Sequence, residues 1–121
     1  MTSNEEINLA IDLKYFRLRI NRKTLQELGC PRFIQFMVNP LTKTIALRSV
    51  EDMSAPDQTC RIDWSRLRRK GYIEVKSKFF LQTLCTEVVG MSEGKSYKVN
   101  GISIPSEGMV VFSLAAEGSV Q

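Results

Sequence analysis

The chain has no histidine in its 121 residues. That removes the commonest general base near neutral pH and the commonest nitrogen ligand for a metal ion. Cysteine is scarce, and Cys30, Cys60 and Cys85 are odd in number, widely spaced and without a C-x-x-C pair. Neither a zinc site nor a disulfide framework is expected from them, and they read as core or half-buried thiols. There is no glycine-rich phosphate loop and no G-x-S-x-G elbow. Acidic residues such as Asp57, Asp63 and Glu87 are scattered, and Ser77 before Lys78 is better explained as a helix cap than as half of a dyad. No apolar run reaches the roughly 18 residues of a membrane span, and no secretory signal opens the chain. These absences lead to the expectation of a non-enzymatic, cytoplasmic protein with no cofactor, no metal, no membrane association and no small-molecule substrate.

What is present is apolar and basic. Hydrophobic residues make up 43% of the chain, enough for a core and too many for a disordered segment. The length fits one domain. The net charge of +4 favours an acidic partner, and DNA is the partner expected.

Phe16, Leu18 and Ile20 alternate with Arg17 and Arg19, the two-residue period of a strand with one buried face. Asn21 is a good helix cap, Leu25 and Leu28 share a helical face, and Gly29 and Pro31 end the helix after about two turns. Ile34, Phe36 and Val38 form a second strand. Asn39-Pro40 turns the chain, and Ile45 and Leu47 lie on a third strand, pairing as a hairpin. This strand-helix-strand-strand unit spans about 13–50. A short leading strand through Ile7, Leu9 and Ile11, or a frayed arm, precedes it.

Residues 51–70 read as a linker, polar and carrying Pro56, then strongly basic in CRIDWSRLRRK. Ile62 and Trp64 fit a brief strand there, and Asp63 or Ser65 fits the start of a helical turn through Leu67 equally well. A second unit covers about 71–114. Tyr72, Ile73 and Val75 form a strand, Ser77 caps a helix from Lys78 to about Val89, and Gly90 closes it. Tyr97 and Val99 form a strand, Asn100-Gly101 signals a hairpin, and Met109 to Leu114 is the last strand. Residues 115–121 read as a loose tail. Leu-Gln-x-Leu occurs in both helices, at Leu25 to Leu28 and Leu81 to Leu84. The expectation is one α+β domain over 1–121: two strand-helix-hairpin (βαββ) units sharing one core in a small mixed or antiparallel β-barrel or sheet.

The stretch FRLRINRKTLQELG…FIQFMVNPLTKTIALRSV, with its two-turn helix ending in Leu-Gly, resembles the AbrB-like (SpoVT/AbrB) family of bacterial transcriptional regulators, and two units in one chain resemble the MraZ arrangement. The resemblance implies hairpins interleaved into a small β-barrel, and DNA contacts from basic residues near the first strand and the strand-to-helix turn, here Arg17, Arg19, Arg22 and Lys23. A homo-oligomer, a dimer, is expected whether the chain binds DNA or serves as an interaction module. Charge clustering adds Arg66, Arg68, Arg69 and Lys70, with Arg61 close by, as groups able to neutralise phosphates. The competing reading makes these charges a solvated surface. Trp64 fits a base-stacking role, or a core or rim position. The alternative function is a self-associating interaction module, with Phe33, Met37, Met109 and Phe112 as candidate surface or as core.

Overall fold

Asp12 ends the first strand, β1 (Asn8–Asp12), by folding its carboxylate onto the turn that follows. Its Oδ1 accepts from the backbone N–H groups of Lys14 at 2.9 Å and Tyr15 at 3.2 Å, and the chain returns antiparallel as β2 (Arg17–Asn21). The computed structural model describes residues 6–53 and 58–114, and the backbone of 119–120.

Asn21 ends β2 and caps α1 (Arg22–Glu27), accepting from the Thr24 N–H at 3.1 Å. Gly29, at φ 83°, and Pro31 follow. Thr24 is fully buried and its hydroxyl donates to the Asn8 carbonyl at 3.2 Å, so the cap region is fastened to β1. Replacing Asn21 with alanine should lower stability by about 1–2 kcal/mol, because it removes the cap acceptor of the first turn. A shift in urea midpoint would measure this, and Asn21→Asp should recover most of it.

β3 (Phe33–Asn39) and β4 (Thr44–Val50) form the expected hairpin, with the Asn39 carboxamide oxygen accepting from Leu41 and Thr42 across the turn. The segment 51–70 is more than a linker. Residues 54–57 lie outside the described set, but β5 (Thr59–Arg61) pairs with β3, and α2 (Trp64–Lys70) follows. Asp63 caps α2, accepting from Arg66 N–H at 3.1 Å, and Gly71 ends it in the left-handed region at φ 82°. Of the two readings left open for this window, the helix started by Asp63 is the one formed.

β6 (Tyr72–Lys76) leads through the Ser77 cap into α3 (Lys78–Glu87), which stops two residues short of Val89, with Val88 as its C-cap. The next strand corrects an expectation. Asn100 and Gly101 do not turn but run straight through β7 (Ser96–Ile104), and the hairpin to β8 (Met109–Ser113) is made by a 3-10 turn over Pro105–Glu107. Gly101 serves a different need. A Cβ there would lie 2.6 Å from the Phe112 ring, its cross-strand partner. Asn100 pairs with β1 and Gly101 with β8, so β7 passes from one half of the sheet to the other at this point. Of the expected tail, residues 115–118 and 121 lie outside the described set, and β9 (Ser119–Val120) pairs with β7.

The strands are antiparallel throughout, in the order β5-β3-β4-β8-β7-β1-β2-β6, and the sheet is a nearly closed barrel-like α+β structure. Its two ends, β5 and β6, are connected through α2. The interior takes alternate residues from both halves, with Leu18, Ile20, Ile34, Phe36, Ile45, Leu47, Ile73 and Phe112 among its buried side chains. Helix α3 plugs it with Phe80, Leu81 and Leu84, and the Phe80 ring lies 5.6 Å from that of Phe36.

Candidate nucleic-acid interface

Alternation decides which charges share a face. Leu18 and Ile20 turn inward on β2, so Arg17 and Arg19 turn outward. The same parity sends Ala10 and Asp12 outward on β1, Tyr72, Glu74 and Lys76 outward on β6, and Lys98 outward on β7. The register aligns them. Lys98, Ala10, Arg19 and Glu74 form one cross-strand row, and Ser96, Asp12, Arg17 and Lys76 form the next. Ala10 is small, and above it lies an open hollow of about 220 Å³ with Asp12, Arg17, Arg19, Ser96 and Lys98 on its walls.

Two carboxylates hold the arginines in place. Arg17 Nε meets Asp12 Oδ2 at 3.0 Å, and its Nη1 reaches Glu74 at 3.7 Å. Arg19 Nε donates to the other Glu74 oxygen at 3.1 Å and its guanidinium lies 4.8 Å from the centre of the Tyr72 ring. Burial alone would raise the Asp12 pKa. The Lys14 and Tyr15 N–H donors and Arg17 outweigh burial and hold it below the usual carboxylate value. The Asp12–Arg17 pair is therefore present above that value and is lost only as pH falls through the lowered one.

Helix α2 borders this face. Arg66, Arg69 and Lys70 follow the i, i+3, i+4 spacing and, with Tyr72 and Glu74, line a hollow of about 240 Å³, while Leu67 is buried beneath. The structure thus gathers Arg17, Arg19, Arg66, Arg69 and Lys70 around Tyr72 and Glu74. Three other predicted residues stand apart. Arg22 donates from Nη2 to the Leu67 carbonyl at 3.5 Å, where α1 meets α2. Lys23 is paired along α1 with Glu27 at 3.2 Å. Arg68 is exposed and does not line the hollow its neighbours form.

No family model matches the chain, and no curated protein and no solved structure matches it significantly.

Sequence reasoning missed Lys76, Lys98, Tyr72, Glu74 and Asp12 as parts of this face. The signal was present, because Ile73/Val75 and Tyr97/Val99 fix the outward parity of the residues between them. Trp64 is half-buried against the core and its indole N–H donates to the Pro31 carbonyl at 3.1 Å, which accounts for it as a rim residue. Among the proposed self-association residues, Phe112 is fully buried in the core, whereas Phe33, Met37 and Met109 are half-buried on the outside of the β3-β4-β8 half. Among the described residues no cluster of acidic or cysteine side chains has the makings of a metal site, and no described helix is long and apolar enough to cross a membrane. Burial pushes the Cys60 and Cys85 thiols above their ordinary pKa.

Proposed function

We propose that this chain is a non-enzymatic nucleic-acid-binding regulator of the AbrB-like bacterial type, using its cationic face on DNA. One observation carries the reading: Arg17, Arg19, Lys76 and Lys98 share the outer face of β7-β1-β2-β6 with Arg66, Arg69 and Lys70 alongside, and among the described residues of those strands only Asp12 and Glu74 offset them there. Such a surface binds phosphates by displacing counterions.

The two-unit architecture belongs to the same proposal. The units are β2-α1-β3-β4 and β6-α3-β7-β8. Exchanging β1 with β5, β2 with β6, β3 with β7 and β4 with β8 leaves the circular strand order unchanged, which supports a pseudo-twofold pair of interleaved hairpins. On this reading the gap between β5 and β6 stands where β1 and β2 pair. Seven-residue α2 replaces the tight β1–β2 turn and holds those strands apart.

The test is affinity for random duplex DNA at two salt concentrations. Micromolar or tighter binding at low salt is expected, weakening steeply as salt rises. The triple variant Arg66→Ala, Arg69→Ala, Lys70→Ala should lose at least about tenfold in affinity and flatten the salt dependence, since each lost phosphate contact reduces the slope by roughly one. Lys23→Ala should change little. Absence of binding at low salt would remove the proposal.

A second reading, a self-associating module, has its own observation. Met37, Ala46, Val111 and Ile102 form one cross-strand row on the outside of the opposite half, and Ile102 is 72% exposed. A second copy of this chain is the occupant that reading names, and the cationic face would not oppose it. Sedimentation should then show a dimer that Ile102→Asp dissociates, and a monomer at high protein concentration would end that reading.

A further inference from the structure

Two tyrosines frame the cationic face, and charge alone does not account for them. Tyr15, in the turn before β2, is 61% exposed, with the Arg17 guanidinium 5.2 Å and the Lys14 ammonium 5.4 Å from its ring centre. Tyr72 lies at the far end of β2, across from Asn21, and carries Arg19 over its ring at 4.8 Å. Between them Arg17 and Arg19 project from alternate positions of one strand, roughly 7 Å apart. Along β2 the order is therefore aromatic, cation, cation, aromatic. Strand β2 itself, from Arg17 to Asn21, spans roughly 13 Å at the rise of a strand.

We propose that this face takes single-stranded nucleic acid in preference to duplex, with Tyr15 and Tyr72 as platforms for unpaired bases and Arg17 and Arg19 on the phosphates between them. The inference rests on the nucleic-acid reading above and narrows it. In a duplex the bases are stacked on one another, and a protein reads their edges with a helix or ribbon that enters the major groove. Here the face is a sheet of β7, β1, β2 and β6, with the two-residue β9 beside β7, bordered by a helix of seven residues. Among the described residues nothing on that sheet projects as a groove-reading element, whereas a sheet with aromatic side chains suits splayed bases and an open backbone. The cation–π pairs fit the same role. Each tyrosine already has a guanidinium against it, and Glu74 and Asp12 fix those guanidinium groups from the side. A strand arriving on this face meets rings and charges already ordered, so less conformational freedom is lost on binding.

The experiment compares a fluorescently labelled oligo-dT and oligo-rU with a duplex of equal length, by anisotropy at low and moderate salt, for the full chain and its variants. Single strands should bind at least about tenfold more tightly than the duplex. Tyr15→Ala and Tyr72→Ala should each weaken single-strand binding about tenfold, as expected for loss of one stacked base, and weaken duplex binding less than that. Tyr15→Phe and Tyr72→Phe keep the ring and should stay within threefold of the parent, with thermal melting of each variant showing that the fold is intact. If the duplex binds as tightly as the single strands, the inference is overturned. The same follows if both Tyr→Ala variants hold single strands like the parent while the α2 triple variant does not, and the face is then a phosphate-binding surface only. If neither form binds at low salt, the nucleic-acid reading itself falls.

Discussion

Alanine at Gly101 should cost about 1–3 kcal/mol of stability, the usual range for forcing extra volume into a packed interior. The added methyl would sit 2.6 Å from one ring carbon of Phe112, 2.7 Å from another and 3.0 Å from a Val110 methyl. Relief is hard to find. Phe112 is fully buried, Val110 is fully buried, and the Gly101 N–H is committed to the Ile7 carbonyl at 2.9 Å, so neither the ring nor the strand can retreat freely. Thermal melting should fall by roughly 4 °C or more for each kcal/mol lost. The coupling is testable. In a Phe112→Leu background the same alanine should cost less, with an interaction energy of about 0.5–3 kcal/mol between the two sites. Equal melting temperatures for the parent and Gly101→Ala would show that the contact is relaxed by a small shift, and that the glycine is there for another reason.

A larger loss, about 3–5 kcal/mol, is expected for Phe36→Ala. Phe36 is 2% exposed at the middle of β3 and its ring meets that of Phe80 on α3. Truncation removes the transfer energy of the ring and leaves a cavity that the surrounding strands, hydrogen-bonded on both sides, cannot collapse to fill. Since natural domains hold only about 5–15 kcal/mol in all, much of the fold's margin would go. Chemical denaturation should show a lower midpoint with an unchanged slope. Phe36→Leu should lose far less, and Gln35→Ala, one residue along on the outer face, should stay within about 0.5 kcal/mol. A Phe36→Ala protein as stable as the parent would mean that this ring is not part of the core.

These two positions also show which parts of the fold were legible in the sequence. Helix α1 was readable because its signals are local. Asn21 supplies the cap, Gly29 the positive φ and Pro31 the stop, all within one short stretch. Asn100-Gly101 misled for the opposite reason. The dipeptide is the signature of a two-residue turn, yet here the glycine answers to an aromatic ring eleven positions later, which only the β7–β8 register brings overhead. β5 was missed because three residues, Thr59, Cys60 and Arg61, give no period to read, and β3 alone makes them a strand.

The candidate interface divides in the same way. That Arg17 and Arg19 point away from the core followed from alternation. That they lie beside Arg66, Arg69 and Lys70 depends on the pairing of β2 with β6, which joins Arg19 to Glu74 across half the chain. Lys23 and Arg68 looked equivalent to their neighbours in a run of basic letters. A partner at Glu27 sets the first apart, and a different side of the helix the second.

The interleaving of the strands also bears on how the molecule comes together. Leu9 lies opposite Val99, Leu18 opposite Val75 and Leu47 opposite Val110, so three of the junctions within the barrel join distant parts of the chain. Topologies of this kind fold slowly, in milliseconds to seconds, since large loops must close before their contacts stabilise anything. In a nascent polypeptide emerging from the ribosome, β2 would lack its partner β6 until residue 76 had been made, and β1 would lack β7 until residue 104.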